Sequence, residues 1–99
     1  MIQVIVFYSI KKDCTAQFED VFGKIAPLVL KEEGCIQYEL FVSPYETSRF
    51  CLVEKWMSQA VLDKHLATKH LAEFRIQTGQ WFDQKPAIEI KTIENERYL

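Results

Sequence analysis

The sequence predicts an α+β protein with the ferredoxin-like order β-α-β-β-α-β and a four-stranded antiparallel sheet. Three observations predict it. Two long apolar stretches, 2–10 and 49–56, have strand composition. Two segments with helical spacing of apolar residues, centred on 18–29 and 62–74, alternate with them. The turn-rich SPYETS, residues 43–48, joins the second and third strands as a hairpin.

The first strand is IQVIVFYSI, 2–10. One face carries Ile2, Val4, Val6, Tyr8 and Ile10, and the other carries Ile5 and Phe7. Apolar residues on both faces place it centrally in its sheet. Asp13 is the expected N-cap of a helix running to about Glu32. Phe18, Val21, Phe22, Ile25, Leu28 and Val29 make its apolar stripe. Pro27 lies inside that helix and is expected to kink or loosen it. Gly34 suits the left-handed position after a helix.

The second strand is expected over 35–43, with Tyr38 on the face of Ile36 and Leu40. In the third, 49–56, Phe50, Leu52, Glu54 and Trp56 share a face, and Cys51, Val53 and Lys55 the other. Ser58 is the expected cap of the second helix, in which Leu62, His65 and Leu66 face inward. That helix is expected to break near Thr68 and restart at Lys69–His70. Gly79 ends it, Trp81–Phe82 lies in a loop, and Pro86 opens a fourth strand over 87–94.

With both helices on one side of the sheet, Ile5, Phe7, Phe41, Cys51 and Val53 would stay uncovered. So large an apolar patch predicts a homodimer packed sheet to sheet. The 99 residues suit one domain, 1–99, large enough to bury roughly 60–70% of the surface exposed by the unfolded chain. Hydrophobic residues make up 48% of the chain, too many for a disordered protein. The net charge of −2 and the absence of a basic stripe argue against nucleic acid. No apolar run is long enough for a membrane span. Cys14, Cys35 and Cys51 form no CxxC pair and read as free, buried thiols of a reducing cytoplasm.

No P-loop, GxSxG or GxGxxG occurs, and no metal-ligand spacing stands out. His65 is the candidate general base, with a core-edge histidine bonded to backbone as its plain alternative. His70 is a second candidate. The two are five apart, on different faces of a continuous helix, so no shared metal is expected. Glu54, on an otherwise apolar strand face, is costly unless paired, and can orient His65 or bind a ligand hydroxyl. Trp56 and Trp81 can stack on a planar ligand, and Tyr38 and Tyr8 can donate phenolic hydrogen bonds. Phe50, Leu52 and Leu62 are the expected apolar walls of a pocket between helix and sheet.

The stretches KEEGCIQYEL, SRFCLVEKW and LDKHLATKHLAEF resemble the antibiotic biosynthesis monooxygenase family. Glu32, Gly34, Cys35, Tyr38, Glu39, Phe50, Leu52, Glu54, Trp56, His65, Leu66 and His70 carry the likeness. It is nearest in look to the small bacterial quinol monooxygenases, with the enzyme that processes the phospho-autoinducer-2 signal as a rival. The resemblance implies a dimeric α+β barrel of two ferredoxin-like subunits, each with its own pocket. It implies oxidation of a phenol or quinol by O2 with no cofactor and no metal. A base, a donor to the developing oxyanion and aromatic walls would be needed. His65, then Tyr38 or His70, then Trp56 with Trp81 can fill those parts. The haem-degrading branch uses a first-strand Asn and a late-helix His. Here the sole Asn is Asn95, and Arg75 stands nearest that His.

The expected function is therefore a cofactor-independent monooxygenase of a small phenol or quinol. The alternatives are an isomerase or degradative enzyme for a small signal or sugar-phosphate derivative, and a non-catalytic dimeric ligand-binding module. Lys55, Lys64, Lys69 and Arg75, which could serve a phosphate, are expected mostly on solvent faces.

Overall fold

Alternation along the first strand sets the architecture. β1 (Ile2–Ile10) sends Ile2, Val4, Val6, Tyr8 and Ile10 into the core. The computed structural model describes residues 1–99 and places β1 between β3 (Arg49–Trp56) and β4 (Phe82–Thr92). β2 (Cys35–Val42) lies outside β3, so the order is β2-β3-β1-β4 and every pairing is antiparallel. Three helices, α1 (Thr15–Leu30), α2 (Gln59–Leu66) and α3 (Lys69–Thr78), complete a ferredoxin-like α+β chain fold.

α1 begins later than the sequence suggests. Lys12–Cys14 form a 3-10 turn, and Asp13 makes no side-chain cap. The helix runs on through Pro27 to Leu30. The carbonyl that loses its donor there belongs to Gly23, four residues earlier, where no side chain crowds the turn. Phe18, Phe22, Ile25 and Val29 form its buried stripe. Phe18 packs against Tyr8 and Phe50, and Phe22 stacks on Tyr38 with ring centroids 5.5 Å apart. Gly34 has φ +77°, and its α-carbon faces Val61 closely: a Cβ there would lie 2.6 Å from a Val61 methyl.

Two corrections concern the strands. In β2 the register shifts between Cys35 and Gln37, so one extra residue is inserted. Tyr38 and Leu40 then face the helices opposite Glu54 and Leu52, while Ile36 points to solvent. β4 starts at Phe82 and ends at Thr92, earlier at both ends than 87–94. It carries register shifts opposite Phe7–Ser9 and Ser9–Ile10. An edge strand tolerates such bulges, and Pro86, which has no N–H to donate, sits in the first of them.

The helix break lies where the sequence predicts it. Ser58 caps α2, its Oγ accepting from the Val61 amide. Ala67 and Thr68 interrupt the helical ladder, and Thr68 Oγ1 donates to the His65 carbonyl at 2.8 Å. No helix is long and apolar enough to cross a membrane. On the helix-free sheet face, Phe7 and Phe41 are 45% and 47% exposed. The tail folds back on its own chain there, with Lys55 ion-paired to Glu96 and Tyr98 donating to Glu96.

Candidate active site

A cavity of about 460 Å³ lies between the helix-facing side of the sheet and α2–α3. Val4, Val6 and Leu52 form its floor, and Leu62, Leu71 and Phe74 close it from the helices. Ile88 and Ile90 of β4 pair with Val6 and Val4 and form its outer edge. Its polar groups are few: Tyr8, Tyr38, Glu54, His65, Arg75, Thr78 and Lys85.

Strand alternation delivers Glu54 and Leu52 to this face, and Tyr38 lies directly across the ladder from Glu54. Glu54 is buried and accepts a hydrogen bond from Trp56 Nε1 at 2.9 Å. Burial raises its carboxyl pKa to about 7, against the lowering effects of that indole and of Arg75. His65, one turn after Leu62, is also buried. Its Nδ1 lies 3.1 and 3.0 Å from the two Glu32 oxygens. Its Nε2 is 3.9 Å from Glu54, too far for a hydrogen bond. The imidazole lies 4.5 Å, centroid to centroid, from the Trp56 ring and meets Tyr38 edge-on. Burial lowers the His65 pKa, and Glu32 opposes that shift.

This arrangement has a chemical direction. Nδ1–H donates to Glu32, which leaves the Nε2 lone pair free toward the cavity. The imidazole is then oriented, neutral and next to a carboxyl whose pKa lies near neutrality, as acid–base work requires. Tyr8 and Tyr38 also line the cavity, and no buried side-chain polar atom is left unpaired, so their hydroxyls have access to the cavity. Burial, then the Glu54 charge, raises both phenol pKa values, so both remain hydrogen-bond donors.

The structure gathers Tyr8, Tyr38, Leu52, Glu54, Leu62 and His65 around one space. It does not bring the other candidates there. Trp56 is fully buried behind Glu54 and His65 and braces them from outside the cavity. Phe50 is spent on Phe18. Trp81 belongs to the 3-10 turn at Gly79–Trp81, packed at the edge of the core. His70 is outside the walls, with Nε2 2.7 Å from Glu32.

Spacing alone puts His65 and His70 on different helix faces. The break at Ala67–Thr68 re-aims α3, so both rings converge on Glu32. The donor atoms of these three residues lie within 4.8 Å of one another, close enough for one metal ion, and here they hydrogen-bond to each other. Glu32 is the residue that site reasoning passes over. It follows α1 in a turn, far along the chain from its partners, and only its place in the matching KEEGC stretch marks it.

Arg75 is solvent-exposed, as expected, and it also borders the cavity. Leu71, Phe74, Arg75 and Thr78 all line the cavity, at the i, i+3, i+4, i+7 spacing of one helix stripe. That spacing was available to mark Arg75 as facing the cavity with Leu71 and Phe74. Lys85 joins it because the β4 bulge opposite Tyr8 brings successive residues, Lys85 and Pro86, to one wall.

Comparison with known proteins agrees with the fold and with the family resemblance. Residues 1–76 match the sequence profile of the antibiotic biosynthesis monooxygenase family. The chain belongs to that family. It is 38% identical over 63 residues to a protein of Escherichia coli K12 named "Probable quinol monooxygenase YgiN". That match covers 56% of this chain and 61% of the relative, so the chain spans about three fifths of the curated relatives it matches. Among solved structures, a protein of Nitrosomonas europaea superposes with a TM-score of 0.91 at 22% identity, covering 96% of this chain and all of the other. Rv0793 of Mycobacterium tuberculosis does so at 0.90 and 22%, covering 98% of each. At such identities these two likenesses concern the fold. The family membership rests on the sequence match.

Proposed function

We propose that this chain is a cofactor-independent monooxygenase that oxidises a small phenol or quinol with O2. The observation that carries the reading is His65, oriented through Nδ1 by Glu32 and presenting its free Nε2 to an apolar cavity beside Glu54. A substrate hydroxyl at Nε2 gives up its proton there. Tyr8 or Tyr38 donates a hydrogen bond to the resulting oxyanion. The apolar walls keep water from the reduced oxygen species.

The electrons balance without a cofactor. The quinol anion passes one electron to O2, and the semiquinone and superoxide combine in a C–O bond. Cleavage of the O–O bond leaves one oxygen atom on the ring and releases the other as water. All four electrons come from the quinol, which ends as a hydroxyquinone. His65 and Glu54 are the catalytic groups of this scheme. His70 acts through Glu32, and Leu52 and Leu62 shape the ring's site. Oxygen uptake should exceed the uncatalysed rate with at least one member of a hydroquinone panel, and His65→Ala should abolish the excess. Equal uptake with and without protein across the panel would sink the reading.

The helix-free sheet face supports a second copy as its cover, since Phe7 and Phe41 expose nearly half their surface there. The functional unit is then a homodimer with two cavities. The three free cysteines, half-buried where burial is expected, suit a cytoplasmic setting for this one-domain protein. One observation favours a second reading, a small sugar-phosphate or signal derivative as substrate: Arg75 and Lys85 line the cavity. Turnover of phosphorylated sugars without oxygen uptake would select it.

A further inference from the structure

Arg75 and Lys85 are cations with no anionic partner in the chain. The ion pairs formed by lysine use Lys24, Lys55, Lys64, Lys69 and Lys91 instead. Both unpaired cations border a cavity whose other walls are mostly apolar. The charge of Arg75 is felt inside it, at Tyr8, Glu54 and His65. Both side chains are solvent-exposed at the border of the cavity, so an anionic group on a ligand that fills it can reach two cations there.

We propose that the ligand is an aromatic hydroxy acid, with its carboxylate held by Arg75 and Lys85 and its hydroxyl placed at His65. This rests on the monooxygenase reading for the role of the hydroxyl, and on the cavity alone for the carboxylate. The register gives the spacing. Glu54 pairs with Val4, and Lys85 lies in the bulge opposite Tyr8, four residues along β1. That is about 13 Å at the strand rise. A two-ring acid plus the reach of an arginine or lysine side chain spans it. The polarity of the cavity also sets the direction of binding. An anion beside Glu54 would meet a like charge, whereas beside Arg75 and Lys85 it meets two cations. The planar guanidinium takes a carboxylate through two parallel hydrogen bonds, and the phosphate probe below separates that anion from a phosphate.

The test is calorimetric binding of three probes at pH 7.5: 6-hydroxy-2-naphthoate, neutral 2-naphthol and 2-naphthyl phosphate. The wild-type protein should bind the naphthoate about tenfold more tightly than the naphthol. In Arg75→Gln with Lys85→Gln that ratio should fall to near one, and Arg75→Lys should keep part of it. Lys85→Gln alone, on an exposed edge strand, gives a reduced ratio even if substitution of Arg75 impairs folding. Equal binding of naphthoate and naphthol, a preference that survives in the double variant, or a preference for the phosphate would each overturn the proposal. Oxygen uptake separates it from the function it builds on. Charge-dependent naphthoate binding with no uptake from any quinol leaves this subsite standing and removes the oxygenase reading. Uptake from neutral quinols with no preference for the acid does the reverse.

Discussion

Nδ1 of His65 lies 3.0 Å from Oε2 of Glu32, across 33 residues of chain and between two elements that the sequence keeps apart. This contact selects the histidine tautomer and aims Nε2 at the cavity. Glu32→Ala should therefore lower kcat by about 10²-fold, with KM little changed. Glu32→Gln, whose amide oxygen can still accept the Nδ1 proton, should recover part of the loss. Steady-state oxygen uptake across the three proteins checks this. Full activity in Glu32→Ala would mean that His65 needs no orienting partner.

Glu54 makes stability depend on pH. Its carboxyl is raised from 4.5 to about 7, chiefly by burial. Between those values the folded protein holds a proton that the unfolded chain has released, so stability falls as pH rises through this window. The ceiling on the effect is about 3 kcal/mol. His65 runs the other way: its lowered pKa contributes stability above about pH 6.5 that is lost as pH falls through the folded value. Glu54→Gln keeps an acceptor for Trp56 Nε1 and removes only the first effect. Denaturation curves at pH 5 and 8 should show the variant gaining on wild type at the higher pH. Parallel stability at both values would contradict a raised Glu54.

Gly34 is held by two separate constraints, its φ of +77° and the nearness of Val61. Gly34→Ala should cost about 3 kcal/mol in urea denaturation, from left-handed strain plus overpacking. Adding Val61→Ala removes the crowding methyls and leaves the backbone strain, so the double variant should recover part of the crowding cost. Strict additivity of the two changes would show that Val61 takes no part.

The exposed pair Phe7 and Phe41 belongs to the sheet face proposed to meet a second copy. Phe7→Glu should shift the protein from dimer to monomer in light scattering at micromolar concentration, with far-ultraviolet dichroism unchanged. A wild-type protein that is already monomeric there would refute the sheet-to-sheet dimer.

Much of the architecture could be read directly from residue patterns. The alternation in 2–10 and 49–56, the cap at Ser58, the break near Thr68 and the left-handed Gly34 appear as expected, and of the α1 stripe Phe18, Phe22, Ile25 and Val29 are buried while Leu28 is exposed. Each is a local signal, set by a period of two or 3.6 or by a single residue's backbone freedom. The misses are local failures of the same rules. One inserted residue in β2 exposes Ile36, β4 starts at Phe82, and its bulge brings Lys85 to the border of the cavity. A bulge depends on what the neighbouring strand presents, which a period cannot report.

The amino-acid sequence by itself determined the element order, the inward face of each strand and the family. It also brought Glu54 and His65 to the space between sheet and helices, because face follows from spacing. Only the tertiary structure decided that Glu32 holds both histidines, that Trp56 and Phe50 stand outside the cavity, and that Lys85 joins Arg75 at its border. Those relations join segments far apart in the chain. They depend on the angle at which α3 restarts after Thr68 and on how β4 bulges against Tyr8. Both are set by packing between elements and by no periodicity within one.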